Sequence, residues 1–138
     1  MSGQWVGDAT RHGGQSGLSI AARWLLDRNY TVSVPLEPAP YDLVTESDGG
    51  LVRVQVKTTR RRGANGRYAA GIGRLIHDAT APRNANGNRK SVPYGVDDID
   101  YFFIITPVKM YLIPIGVVAG SMQIVLDEKY AAFAVESS

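Results

Sequence analysis

Pro40-Tyr41-Asp42-Leu43-Val44, a turn at Asp48-Gly49-Gly50, and Val52-Arg53-Val54-Gln55-Val56-Lys57 form one continuous stretch. In its second half Val52, Val54 and Val56 alternate with Arg53, Gln55 and Lys57. That period of two describes a strand with one apolar and one polar face. Asp48-Gly49 between two β-rich runs is a hairpin signal, because both residues tolerate the positive φ of a tight turn. With Asp48 and Gly49 central, pairing runs outward from Ser47–Gly50 and Glu46–Leu51 to Asp42–Gln55. Opposed residues share a face at about 4.5–5.5 Å between Cβ atoms, with Lys57 a diagonal neighbour. A carboxylate, an amide oxygen and an ammonium therefore converge on one patch; a bulge would shift this register.

Working outward, the hairpin opens the basic part of the chain. Ten of the fifteen Lys and Arg residues lie between Arg53 and Lys90, and Asp78 is the only acid there. Such a concentrated positive field favours a polyanion and speeds its association. Arg60, Arg61 and Arg62 leave the second strand together, followed by Arg67, Arg74, Arg83, Arg89 and Lys90. These eight are the candidate nucleic-acid contacts; arginine-to-phosphate contacts fix register, while base-edge contacts supply sequence choice. The segment at about 60–95 is rich in Gly, Asn, Ala and Arg and reads as a loop ordered by DNA. Gly71-x-Gly73 lacks the strand–turn–helix setting of a phosphate loop.

Upstream, residues 1–14 read as an irregular lead-in, and a helix starts with Ser16 as N-cap. Leu18, Ala21, Ala22, Leu25 and Leu26 supply its apolar stripe, and Asn29 suits its left-handed end. Tyr30 to Val34 alternates as a strand stopped by Pro35. Downstream, Tyr101-Phe102-Phe103-Ile104-Ile105 reads as a central strand buried on both faces, followed by a second strand at Met110–Pro114. Asp97, Asp98 and Asp100 precede it; in isolation they look like a metal site, but their place before a core strand argues that they cap, turn and pair with arginine. A helical turn at 115–120, a strand at 122–126 and a short helix at 127–134 complete the chain.

At 138 residues the chain is expected to be a single domain, 1–138. The absence of cysteine excludes disulfides, thiolate nucleophiles and Cys-based zinc sites. Only His12 and His77 exist, with no nucleophile elbow, which argues against Ser-His-Asp chemistry. The start lacks a signal-peptide pattern and no stretch is long and apolar enough to span a membrane, so a cytoplasmic, nucleoid-associated protein of prokaryotic or phage context is expected.

Tyr41-Asp42-Leu43-Val44, Val54-Gln55-Val56-Lys57-Thr58, Asp97-Asp98-Ile99-Asp100-Tyr101-Phe102 and Tyr111-Leu112-Ile113-Pro114, in that order, resemble the PD-(D/E)XK nucleases. Within that superfamily they are most similar to the group I intron-encoded homing endonucleases that carry Gln-x-Lys. The resemblance implies an α/β fold: a restriction-endonuclease-like core, a central mixed β-sheet flanked by helices in αβββαβ order. It also implies a metal-dependent DNA endonuclease acting on double-stranded DNA with Mg²⁺, for which Mn²⁺ substitutes. Asp42, Gln55 and Lys57 would be catalytic, with Asp42, Gln55 and the Val56 carbonyl as metal ligands. In the family a first-helix Glu joins the site, but Gly17, Leu18 and Ser19 stand there. Either Glu37, Ser19 or Gln15 fills in, or the metal site is weakened. Cutting both strands calls for two active sites, hence a homodimer or homotetramer, to which Phe133 and Val135 could contribute unless they pack in the core. The rival readings are a structure-selective nuclease such as a Holliday-junction resolvase, and a catalytically weak or silent DNA-binding module.

Overall fold

The computed structural model describes residues 13–63, 65–75, 85–87 and 90–136. The first helix, α1, spans Gly13–Asp27, so Ser16 falls inside its first turn and is not the N-cap. Ala21 and Leu25 are buried and Leu18 partly so, but Leu26 is 54% exposed and lies off the stripe. Asn29 ends the helix at φ 67°; its N–H donates to Leu26 and that of Tyr30 to Leu25. This is the paired-carbonyl ending that a left-handed residue makes possible.

A six-stranded mixed sheet forms the centre, in the order β1 (Val32–Ser33), β2 (Leu43–Ser47), β3 (Gly50–Thr58), β7 (Tyr101–Ile105), β8 (Met110–Pro114) and β10 (Ala134–Val135). The expected register holds: Ser47 opposes Gly50, Glu46 opposes Leu51, and Leu43 opposes Val54. The positive φ of the turn, 119°, falls on Gly50 and not on Asp48 or Gly49. β1 is shorter than the alternation from Tyr30 to Val34 suggested, because Pro35 cannot donate to a ladder.

β3 is antiparallel to β2 and parallel to β7, which makes it an inner strand. Phe102, Phe103 and Ile104 are fully buried, as an apolar run without alternation requires. Their side chains split between two cores. Phe103 joins Ala21, Leu25, Leu43, Val54 and Val56 beneath α1. Phe102 and Ile104 join a second core with Ile72, Tyr94, Ile99, Ile113 and Ile124 on the other face.

The expected α/β architecture with a central mixed sheet is present, and the parallel step from β3 to β7 carries extra strands among the described residues. It contains three short strands, β4 (Ala69–Gly71), β5 (Gly73–Leu75) and β6 (Ser91–Pro93). β4 pairs with β9 (Gln123–Val125), and β5 with β6. The segment is therefore not one long loop. Three-residue strands made of Gly, Ala and Arg carry no readable period, and single anchors such as Ile72 and Tyr94 fix them to the core. A short helix α2 (Ile115–Val118) follows β8, and a 3₁₀ helix at Glu128–Phe133 is capped by Asp127, whose carboxylate accepts from the Lys129 N–H. Phe133 and Val135 pack partly buried against the two cores, as their apolar character allows within one chain. No helix among the described residues is long and apolar enough to cross a membrane.

Candidate active site

Strand alternation sends Val54 and Val56 of β3 under α1 and Gln55 and Lys57 to the opposite face. There a cleft of about 600 Å³ is lined by Pro38, Ala39, Pro40, Asp42, Gln55, Lys57, Gly73, Arg74, Leu75 and Tyr94. The hairpin supplies one wall; β5 and Tyr94 supply the other.

Asp42 reaches this cleft by slipping one residue at the end of the ladder. Its N–H donates to the Val54 carbonyl at 2.9 Å, so it does not sit squarely opposite Gln55. Its Oδ2 instead accepts from the Val56 N–H at 3.0 Å, leaving Oδ1 for another partner. In a strand the N–H and C=O of one residue point to the same side, so the Val56 carbonyl is directed towards Asp42 as well. The Gln55 Oε1 is shut off from solvent and has no hydrogen-bond partner. An unsatisfied buried acceptor is rare and calls for a missing donor or cation.

Lys57 Nζ donates to the Gly73 carbonyl at 3.4 Å and lies 5.5 Å from the centre of the Tyr94 ring. Burial lowers its pKa below the usual lysine range, with the Asp42 charge opposing. Burial likewise raises the Asp42 carboxyl above its ordinary value, against the Val56 hydrogen bond and the Lys57 charge. Both members of the pair are thus pushed towards neutrality. Tyr94 is pushed up to about 12, chiefly by burial and then by the Asp42 charge, and stays a proton donor.

Two comparisons place the chain among known proteins. Residues 8–132 match the family described as PD-(D/E)XK endonuclease. The chain belongs to the PD-(D/E)XK endonuclease family. Its fold is similar to that of the bacterial homing endonuclease I-Ssp6803I, with a TM-score of 0.71 and 23% identity over 91% of this chain and 88% of that one. The comparison with curated proteins gives no match.

In this PD-(D/E)XK family member Asp42, Gln55, Val56 and Lys57 come together, while Ser19 and Glu37 are not among the cleft-lining residues. α1 lies on the far side of the sheet: a Cβ on Gly17 would stand 2.6 Å from Thr58 Cγ2 and 3.3 Å from Val56 Cγ1. Leu18 packs from α1 into the core between helix and sheet, and Ser19 is exposed and does not line the cleft. Glu37 is exposed just before the lining Pro38, and the Gln15 side chain lies outside the described residues. No cluster of three His, Asp or Glu side chains able to hold a metal occurs among the described residues.

The basic run divides in two. Arg61 donates to Gln123 Oε1 at 2.5 Å, and Arg62 donates to the Gly66 carbonyl and Tyr68 hydroxyl while stacking 4.5 Å over the Tyr68 ring. Arg61 thus ties the run to β9, and Arg62 braces its own turn. Arg60, Arg67 and Lys90 are exposed, whereas Arg83 and Arg89 lie outside the described residues. Asp100 and Asp98 behave as structural acids: Asp100 holds Arg53 through its side chain and its N–H, and Asp98 accepts from the Gly95 N–H. Sequence reading missed Tyr94 and Gly73 as cleft residues; a lone tyrosine in a Gly- and Asn-rich stretch was the available signal.

Proposed function

We propose that the protein is a divalent-metal-dependent, homing-endonuclease-like enzyme that hydrolyses phosphodiester bonds of double-stranded DNA in this cleft. The carrying observation is the Gln55 Oε1, buried and without a partner beside a carboxylate that has one oxygen committed to Val56. Asp42 Oδ1, Gln55 Oε1 and the Val56 carbonyl form an all-oxygen donor set, which suits Mg²⁺ or Mn²⁺ completed by water and a phosphate oxygen. A cation held there supplies charge neutralisation at the phosphate and makes water more acidic.

The chain's own residues do the rest. Asp42 sets the position of the donor group, because its second oxygen is pinned to β3. Lys57, whose pKa burial lowers from the ordinary lysine value, takes a proton from the attacking water. A water oxygen–phosphorus bond forms and one phosphorus–ester oxygen bond breaks. The leaving oxygen receives a proton, so diester plus water becomes a phosphomonoester and a hydroxyl. Arg60, Arg67 and Lys90 meet backbone phosphates away from the cleft. Two copies are needed to cut two strands, which points to a homodimer or homotetramer.

Among the described residues no second carboxylate lines the cleft, which favours one rival, a DNA-binding module with a silent site. Incubating the protein with duplex and four-way-junction DNA in Mg²⁺ and in Mn²⁺ separates the readings. Cleavage of linear duplex by wild type, lost in Asp42→Ala, supports the proposal. Binding without cleavage of any DNA form contradicts it in favour of the silent module, and cleavage confined to junctions contradicts the homing-type substrate.

A further inference from the structure

The wall facing Asp42 and Lys57 carries a second cation whose state differs from every structural arginine nearby. Arg53 is fully engaged: Nε and Nη2 donate to Asp100, and Nη1 and Nη2 reach the Asp97 and Val96 carbonyls. Arg74, at the middle of β5, comes no nearer to Asp98 than 3.7 Å, at Nη2. That is well beyond the roughly 2.7–2.9 Å of a charge-assisted hydrogen bond. Asp98 has already given its Oδ2 to the Gly95 N–H at 2.8 Å. The Arg74 Nε is shut off from solvent and has no acceptor. A buried donor on a charged group without a partner carries the full cost of an unmade hydrogen bond. Arg74 therefore gains by exchanging Asp98 for a better acceptor, and it lines the cleft in which a phosphodiester would sit.

We propose that Arg74 is a catalytic residue that leaves Asp98 and donates to the non-bridging oxygens of the phosphodiester being cut. The proposal rests on the nuclease reading above. As the water oxygen–phosphorus bond forms and the ester bond breaks, negative charge gathers on those oxygens. The planar guanidinium presents paired N–H donors to two of them. Arg74 keeps all its protons and supplies charge alone; the proton taken from water passes to Lys57. In the free protein Asp98 is its counterion, and the arriving phosphate replaces it.

Three variants and one resonance test this. Under single-turnover conditions at saturating duplex, Arg74→Ala slows cleavage by about 10²–10³-fold, the usual cost of losing one preorganised donor to an oxyanion. Its Kd for DNA changes far less. Arg74→Lys recovers little, because an ammonium lacks the fork. Asp98→Asn cuts at the wild-type rate or faster, since it frees the arginine. In Asp42→Ala protein, which binds without cutting, the Arg74 Nε–H resonance shifts when duplex DNA is added. Wild-type cutting by Arg74→Ala overturns the proposal, as does a loss in Asp98→Asn equal to that in Arg74→Ala, which marks a mere brace. A wild type that cuts nothing sinks the nuclease reading instead, and the resonance then decides: no shift on adding DNA overturns the Arg74 contact too.

Discussion

The two faces of β3 are built from alternate residues of the same nine and have opposite character. Beneath α1, Val54 and Val56 meet Ala21, Leu25, Leu43 and Phe103 in an apolar cluster, and at Gly17 the packing is so close that there is no room for a methyl. On the other side Gln55 and Lys57 face an open cleft with an unpaired oxygen, a lysine biased towards neutrality and a loosely held arginine. One face satisfies itself; the other is complete only with something added. Stability and chemistry are thus separated by a single residue's step along a strand, and substitutions on the two faces should report on different properties.

The largest effect is expected on the wet face. Asp42→Ala and Lys57→Ala each lower the cleavage rate by on the order of 10²–10⁴-fold, in the range of general acid–base and positioning contributions, while Tm stays near wild type. The pH profile carries the same signature. In the metal-free protein burial raises the Asp42 carboxyl, so protons compete with the cation for it already above pH 3.8. Lys57 gives up its proton below 10.5, so the rate climbs again before that value and this second rise vanishes in Lys57→Ala. A profile unchanged by Lys57→Ala removes the base role.

The dry face should behave in the reverse way. Gly17→Ala lowers unfolding free energy by about 1–3 kcal/mol, the cost of overpacking, and Thr58→Ser in the same chain restores part of it. Denaturant unfolding measures both. Gly17→Glu should destabilise the protein without supplying a metal ligand, because that position faces away from the cleft.

Smaller effects sharpen the contrast. Gln55→Glu adds a charge to the donor set and should lower the Mg²⁺ concentration for half-maximal cleavage about tenfold, a modest return on the electrostatic gain of a close charge pair. Smallest of all, Arg60→Ala and Arg67→Ala each reduce the salt slope of DNA binding by about 0.9, whereas Arg62→Ala, which is tied to Tyr68, lowers stability more than slope.

Much of this was legible before any coordinates. Alternation at Val52–Lys57 and the Asp48-Gly49 turn specify register and face, because a one-residue slip would bury Lys57. The unbroken apolar run at Tyr101–Ile105 specifies an inner strand. What stayed hidden depends on contacts far apart in sequence. Nothing local shows that Arg61 finds Gln123, or that Lys57 finds the Gly73 carbonyl. β4, β5 and β6 are too short to impose a period. Tyr94 and Arg74 become cleft residues only because two small sheets fold back over the face of β3. The Asp42 slip from Gln55 to Val54 also eluded the pattern, since it ends the ladder without changing composition.

The central claim is that Asp42, Gln55 and the Val56 carbonyl hold a divalent cation. Titrating Mn²⁺ into the isotopically labelled protein and following paramagnetic broadening tests it without DNA or turnover. The account predicts that the Gln55 side-chain amide and the Val56 backbone N–H broaden first, and that Asp42→Ala abolishes this order. Broadening that begins at Glu46 and Asp48, the exposed acids at the far end of the hairpin, and is indifferent to Asp42→Ala would contradict it.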